Sequence, residues 1–254
     1  MGFLGIKVDE WDTCVCKVCG KTFRMPVIHG RHFPSDVCLE CRKKQDQAKA
    51  MEQFWWDKLK DRQIKAGIPE RFRSVTLDSF VITQPGQRQA VGSCRSFVNG
   101  VGSNMVLTGP TGVGKTHLAV AVMNEMMRSD PDRTYRYTSE AELYRVIRET
   151  YALKTSERKA LNQLSSYWLL AIDEMGRATW SESDKRILFD LVNARYNSGT
   201  RTIIASNMTS RSFDHAGRHY VGLDEYLGEA TARRIVESKC VEVQCTWPRH
   251  KEEA

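Results

Sequence analysis

The sequence contains no apolar run long enough to cross a membrane. Its longest fully apolar segments, residues 118–123 and 167–172, fall far short of the ~18 residues that a membrane-spanning helix needs. Residues 1–10 also lack the basic and then apolar plan of a secretory signal. We therefore expect a cytoplasmic protein that does not associate with a membrane.

The sequence also lacks internal repeats, low-complexity tracts and a dominant run of one charge sign. These absences exclude a repeat array and a wholly disordered chain. Hydrophobic residues make up 41% and charged residues 27% of 254 residues, enough for one mid-sized globular domain and a small appendage. The net charge of +7 suits an anionic partner such as nucleic acid. A basic surface exposed to solvent, with no such partner, would account for the same excess of positive charge.

Cysteine, by contrast, is abundant. Four of the eight cysteines form two Cys-x2-Cys pairs, at Cys16, Cys19, Cys38 and Cys41. This spacing is typical of a four-thiolate zinc site, and a disulfide framework is disfavoured because the sequence carries no export signal. Zn²⁺ would hold together a module over residues 1–45 that is too small to bury a core of its own. Cys14 is a candidate to replace Cys16 as a ligand.

Apolar periodicity predicts a helix followed by alternating strands and helices. Residues 46–66 are free of glycine and proline and predict a linker helix that ends before Gly67. In residues 67–254 the apolar runs predict strands near residues 104–108, 133–138, 167–172, 200–205 and 239–245. Amphipathic stretches lie between them. This rhythm predicts an α/β fold in which a parallel sheet is covered by helices on both faces.

The most informative motif follows the first of these strands. It fits the pattern G-x-x-x-x-G-K-[ST] and consists of Gly109, Pro110, Thr111, Gly112, Val113, Gly114, Lys115 and Thr116. Glycines let backbone N–H groups point at phosphate oxygens, and the following helix adds the positive end of its dipole. Lys115 would reach the β and γ phosphates, and the Thr116 hydroxyl would ligate Mg²⁺. A structural glycine-rich turn is the alternative.

Polar side chains follow two later strands of the predicted sheet. Asp173 would hold Mg²⁺ through water, and Glu174 would orient or deprotonate the attacking water. Asn207 follows the next strand and would hydrogen-bond the γ phosphate or the water, although asparagine is also a common turn residue. Arg233 and Arg234 lie on a predicted helix, where one arginine could neutralise transition-state charge or both could face solvent.

Together these segments resemble the AAA+ ATPases of the DnaC/DnaI helicase-loader and IstB group. The resemblance covers residues 66–249 and rests on residues 66–72, 114–119, 169–176 and 202–207. It implies an AAA+ P-loop parallel sheet sandwiched by helices, with a reduced helical lid, that binds ATP and Mg²⁺. It also implies a loader that binds a hexameric replicative helicase and single-stranded DNA and uses ATP to time helicase deposition.

The family's L-G-E-R-x-x-D-R segment carries over only in part. The matching positions are Leu227, Gly228, Glu229 and Arg234. Arg234 therefore inherits the role of an arginine finger that acts in a neighbouring subunit, which implies self-association on DNA. Ala230 and Arg233 depart from the pattern, so it stays open whether Arg233 or Arg249 senses nucleotide. The segment over residues 208–226 has no assigned role.

Two other functions remain open beside the helicase loader. One is an IstB-like transposition ATP-binding protein, and the other is a zinc DNA-binding regulator with a vestigial nucleotide site. The cysteine module favours the loader, because DnaI-type loaders resemble this layout and use an N-terminal zinc module to dock on the helicase. We therefore expect a zinc module at residues 1–45, a linker helix at 46–66 and a Mg²⁺-dependent ATPase domain at 67–254, with slow, partner-regulated turnover.

Overall fold

The computed structural model contains two compact units, Met1–Lys58 and Leu59–Ala254. The residues it describes are 8–27, 31, 35–152, 157–177, 181–237 and 239–248. The first unit opens with an antiparallel pair of strands, β1 (Glu10–Val15) and β2 (Thr22–Val27). Among the described residues, no helix combines the length and apolarity needed to span a bilayer.

Helix α1 (Leu39–Ala66) begins earlier than the predicted start at residue 46. The second cysteine pair lies at this earlier start, with Cys41 in the first turn of the helix. Cys38 lies immediately before the helix, and the Arg42 amide donates to the Cys38 carbonyl oxygen at 2.9 Å. Metal-ligand spacing and helix formation thus involve the same residues, which the cysteine pattern alone did not indicate.

The last turns of α1 belong to the core of the second unit. Leu59 and Ala66 are buried there. The Gln63 side-chain amide donates to the Asn124 Oδ1 atom at 2.9 Å. The two compact units divide after Lys58, inside the predicted linker helix.

The second unit alternates strands and helices. In chain order, its described strands are β3 (Asn104–Thr108), β4 (Tyr135–Ser139), β5 (Leu169–Met175), β6 (Arg201–Ser206), β7 (Phe213–His215), β8 (Arg218–Tyr220) and β9 (Val241–Gln244). Its described helices are α2 (Pro85–Val98), α3 (Lys115–Ser129), α4 (Glu140–Ala152), α5 (Glu157–Ser166), α6 (Glu182–Asn197), α7 (Leu223–Leu227) and α8 (Glu229–Glu237). A short 3₁₀ turn covers Glu70–Phe72.

A parallel sheet of order β4-β5-β6-β3-β9 carries this unit. Its two faces are apolar because side chains alternate along each strand. Met105 and Leu107 pack with α2 and α3 on one face, and Val106 packs with Leu191 of α6 on the other. Every residue of β3 and β6 is buried, as a sheet covered on both sides requires. The predicted α/β fold with a helix-covered parallel sheet is confirmed.

The sheet order differs from the chain order at its centre, where β6 pairs with both β3 and β5. Strand β6 lies between β3 and β5, with Thr108 opposite Ser206 and Ser206 also opposite Met175. The carboxyl ends of all three strands therefore lie side by side. In an open α/β sheet, this edge is where ligands bind.

The segment that lacked an assignment, residues 208–226, contains a small hairpin. Strands β7 and β8 pair antiparallel, and helix α7 begins after them at Leu223. The Phe213 and Tyr220 rings stack across the hairpin with centroids 5.0 Å apart and an interplanar angle of 6°. His219 bridges two acids, with Nδ1 at 2.8 Å from Asp214 and Nε2 at 2.7 Å from Glu225. The hairpin is thus an ordered element with cross-strand contacts of its own.

Alanine substitutions at two glycines test how tightly the turn before β3 packs against the chain before β9. Gly100 and Gly102 both have positive φ angles, but only at Gly102 would a Cβ atom lie 2.2 Å from the Lys239 carbonyl oxygen. Backbone strain of about 1 kcal/mol is common to both alanine variants. We expect Gly102→Ala to lower the free energy of unfolding in urea by about 2 kcal/mol more than Gly100→Ala. Equal losses would contradict this packing.

Candidate nucleotide-binding site and cysteine cluster

The loop between β3 and α3 has a backbone suited to an anion. Gly112 and Gly114 have φ angles of +86° and +96°, a region that glycine enters without a steric penalty. A Cβ atom at Gly114 would lie 2.6 Å from the Phe80 ring, so a larger residue would clash. Helix α3 begins at Lys115, directly after the loop, so the unpaired amides of its first turn and the positive end of its dipole suit an anion. These residues fit a nucleotide's phosphates.

Lys115 links this loop to the end of β6. Its ammonium donates to the carbonyl oxygens of Gly109 and Pro110 at 2.8 and 2.7 Å. It also donates to the Asn207 Oδ1 atom at 2.8 Å. Burial lowers the pKa of Lys115. The predicted lysine and the predicted polar residue of β6 therefore lie in direct contact.

Asp173 stands beside the other end of the motif. Its Oδ2 atom accepts hydrogen bonds from Thr116 Oγ1 and from the Tyr137 hydroxyl, both at 2.7 Å. Asp173 is only 5% exposed. Hydroxyl and carboxylate oxygens are ligands that Mg²⁺ prefers, so Thr116 and Asp173 fit the predicted magnesium site. Burial and the adjacent Asp173 charge raise the pKa of Tyr137, which keeps its hydroxyl protonated as a donor.

Strand β5 extends further than predicted and includes both acids. The prediction ended it at residue 172, but it runs to Met175 with an irregular register between Ile172 and Met175. Within this irregularity Glu174 has a φ of +59°, which is uncommon for a residue other than glycine. Asp173 is thereby buried while Glu174 is exposed. The two neighbouring carboxylates therefore have different environments.

These side chains line a common cleft of about 250 Å³. It includes the predicted residues Thr111, Gly112, Gly114, Lys115, Thr116, Asp173, Glu174 and Asn207. Phe72, His117 and Arg177 line it as well. The cleft thus brings the glycine loop together with the carboxyl ends of β5 and β6.

The loop side of the cleft is braced by residues that the sequence motifs do not mark. The indole Nε1 atom of Trp247 donates to the Val113 carbonyl oxygen at 2.9 Å. The Phe80 ring meets the Trp247 ring edge-on at 6.3 Å and the His117 ring at 5.3 Å. Burial lowers the pKa of His117, which favours its neutral form. No local sequence signal marks Phe80.

A buried glutamate anchors the chain after the two acids. Glu140 is 1% exposed, and its Oε2 atom accepts the Gly176 and Arg177 amides at 3.1 and 2.8 Å. Its Oε1 atom accepts the Tyr226 hydroxyl at 2.7 Å. Sequence analysis missed Glu140 and Tyr137 because their roles depend on strands and loops that are distant in the chain.

The arginines of α8 lie elsewhere. The Arg234 guanidinium stacks over the Tyr196 ring at 4.7 Å and lies 3.6 Å from Glu237. Arg233 also lies 3.6 Å from Glu237. Among the described residues, neither arginine lines the nucleotide cleft of its own chain. The arginine-finger role of Arg234 stays a prediction about a neighbouring subunit, and Arg249 lies outside the described residues.

The two cysteine pairs converge in the first unit. The Sγ atoms of Cys16, Cys19, Cys38 and Cys41 all lie within 4.8 Å of one another. The Cys19 and Cys38 sulfurs are 3.8 Å apart. Four Zn–S bonds of ~2.3 Å in a tetrahedron separate sulfurs by roughly 3.8 Å, so the cluster fits Zn²⁺. Within the described part of the chain, Cys14 is not a member of the cluster.

Backbone amides support the charged form of one ligand. The Cys38 amide donates to the Cys16 Sγ atom at 3.3 Å. This hydrogen bond and those from the Cys19 and Val18 amides outweigh burial and lower the pKa of Cys16 to about 6. These amides therefore favour the thiolate of Cys16, which is the form that binds metal.

Comparison with known proteins gives a consistent result. The family described as IstB-like ATP binding protein matches residues 77–254. The replicative helicase loader DnaC of Escherichia coli (strain K12) is 29% identical over 147 residues, which cover 56% of this chain and 59% of that protein. The aligned region is thus less than two thirds of that relative's length.

Solved structures share the fold. The crystal structure of the DnaC helicase loader matches with a TM-score of 0.55 and 23% identity, over 69% of this chain and 99% of that chain. The replication initiator DnaA bound to AMPPCP and single-stranded DNA matches with a TM-score of 0.55 and 20% identity, over 69% of this chain and 50% of that chain. The family match covers well over half of the sequence, so the predicted resemblance is confirmed and the chain belongs to the IstB-like ATP-binding protein family.

Proposed function

We propose that the protein is an ATP-dependent helicase loader. It would bind a hexameric replicative helicase and single-stranded DNA, and hydrolyse ATP to regulate helicase deposition. The observation that carries this proposal is the convergence of Thr116 with Asp173 at 2.7 Å and of Lys115 with Asn207 at 2.8 Å. The similarity to a protein named replicative helicase loader supports the choice of partner.

Binding of ATP follows from the loop and its lysine. The amides of the glycine loop receive the phosphate oxygens, and Lys115 exchanges its carbonyl partners for phosphate without leaving the cleft. Asn207 is then placed to hydrogen-bond the γ phosphate. Thr116 and Asp173 would hold Mg²⁺, which supplies neutralisation of charge on the phosphates when it is bound.

Hydrolysis is assigned to the exposed member of the acidic pair. Glu174 lies in the cleft beside buried Asp173, and its carboxylate is free of the two hydroxyl donors that occupy Asp173. It is the group that would orient a water toward the γ phosphate and accept its proton. The uncommon backbone conformation of Glu174 is the kind of strain found at functional sites.

The proposal extends to an assembly. Arg234 would reach the nucleotide of an adjacent subunit and neutralise charge in the transition state, an effect worth ~10³-fold or more in rate. Such a shared site requires self-association, which we place on single-stranded DNA. The net charge of +7 supports a polyanionic partner.

The cysteine cluster is assigned to helicase docking. Zn²⁺ would cross-link the hairpin of β1 and β2 to the start of α1, because each contributes one Cys-x2-Cys pair. A rigid module of this kind is suited to a protein contact. An IstB-like transposition function is the second candidate, because the matching family is described as IstB-like ATP binding protein. It would differ from the loader in the partner and not in the nucleotide site.

Removal of the loop lysine tests the ATPase. We expect Lys115→Ala to reduce ATP turnover by about 10²-fold, because a preorganised charge on the phosphates is lost. Lys185→Ala is the matched control, since Lys185 forms an exposed pair with Glu182 on α6. Steady-state phosphate release with and without single-stranded DNA measures both variants. Equal turnover in Lys115→Ala and the wild type would contradict the assignment. Turnover in neither protein would favour the DNA-binding regulator with a vestigial nucleotide site.

Disruption of the cysteine cluster tests the docking role. We expect the wild type and Cys14→Ser to bind about one zinc ion per chain and to co-purify with a hexameric replicative helicase. Cys38→Ser should lose both while it retains ATP binding, because its second unit has a separate core. Failure of the wild type to capture helicase would refute the loader, and capture of a transposase instead would support the second candidate.

A further inference from the structure

Arg177 brings a second positive charge to the nucleotide cleft. It lines the cleft together with Lys115, Thr116 and Asn207. Burial lowers the pKa of Lys115, and the nearby charge of Arg177 lowers it further, as expected for two cations that face one space. A cleft with two convergent cations is complementary to a polyphosphate.

The guanidinium of Arg177 is paired with the acid assigned to catalysis. Its Nη1 atom lies 3.0 Å from the Glu174 Oε1 atom, and the two side chains are 53% and 49% exposed. An ion pair with this exposure is weak and exchanges partners readily. While the pair persists, an arginine proton occupies one acceptor site of the Glu174 Oε1 atom and its cation partly neutralises the carboxylate, so fewer sites and less charge are left to orient a water.

The backbone that carries Arg177 is fixed even though its guanidinium is exposed. Buried Glu140 accepts the Arg177 amide at 2.8 Å and the preceding Gly176 amide at 3.1 Å. The same carboxylate is held by the Tyr226 hydroxyl at 2.7 Å. An anchored backbone with a long side chain allows the guanidinium to change partner while its point of attachment stays at the cleft.

We propose that Arg177 binds the γ phosphate of ATP held in the same chain, and that it pairs with Glu174 when no γ phosphate is present. This inference rests on the proposed ATP site and deepens it. A guanidinium forms two parallel hydrogen bonds to a phosphate, and a terminal phosphate carries about 1.5 to 2 negative charges near neutral pH. The phosphate therefore competes well with a single exposed carboxylate.

The exchange has a consequence for timing. When Arg177 moves to the γ phosphate, the whole Glu174 carboxylate becomes available to orient water, so ATP binding frees the glutamate that acts as the base. After the γ phosphate has left, the pair with Glu174 forms again. Arg177 acts within its own chain and is thus distinct from Arg234, which is assigned to a neighbouring site.

Nucleotide affinities measured by calorimetry with Mg²⁺ test the inference. For Arg177→Gln we expect binding of AMPPCP, which keeps a terminal phosphate, to weaken about 10-fold or more, while binding of ADP changes by less than about 2-fold. Arg177→Lys should be intermediate, since it keeps the charge and loses the planar fork. Arg145→Gln is the matched control, because Arg145 pairs with Glu142 at the same spacing outside the cleft.

The possible results distinguish a failure of the Arg177 role from a failure of the proposed ATP site. Unchanged AMPPCP affinity in Arg177→Gln, or equal losses for AMPPCP and ADP, would overturn the role of Arg177. Retained ADP binding also shows that the variant is folded around an intact loop. If the wild type bound neither nucleotide, the proposed ATP site itself would be refuted.

Discussion

The position of β6 between β3 and β5 is the constraint on which the candidate site depends. Parallel pairing places the carboxyl ends of these strands at one edge of the sheet. Lys115 then reaches Asn207 at 2.8 Å, and Thr116 reaches Asp173 at 2.7 Å. Residues that are 92 and 57 positions apart thereby form one cleft. The proposed binding and hydrolysis of ATP both follow from this arrangement.

Much of the fold and of the site could be predicted because the signals are local. Loop geometry follows from glycine spacing, so the residues from Gly109 to Thr116 predict a phosphate loop without knowledge of the tertiary structure. Asp173 lies near the carboxyl end of β5 and Asn207 directly follows β6, and parallel sheets place such ends together. The Cys-x2-Cys pairs likewise indicate a shared ligand set by spacing alone, and their sulfurs lie within 4.8 Å of one another.

The remaining features depend on contacts that spacing does not encode. Tyr137 reaches Asp173 only because β4 pairs with β5, and Glu140 holds Arg177 only because the chain after β5 turns back toward α4. Helix α1 begins at Leu39, so Cys41 of the second cysteine pair lies in its first turn. The polar, loop-rich composition of residues 1–45 gives no sign of this early helix start. The extension of β5 through Glu174 reflects an irregular register with β6 that no local pattern specifies.

The most direct test of the central claim is a crystal structure of the protein with AMPPCP and Mg²⁺. We expect the three phosphates to lie against the glycine loop, with the metal at Thr116 and Asp173 and the terminal phosphate within hydrogen-bond distance of Lys115 and Asn207. A nucleotide bound elsewhere on the chain, or a loop that holds no phosphate at saturating ligand, would contradict it.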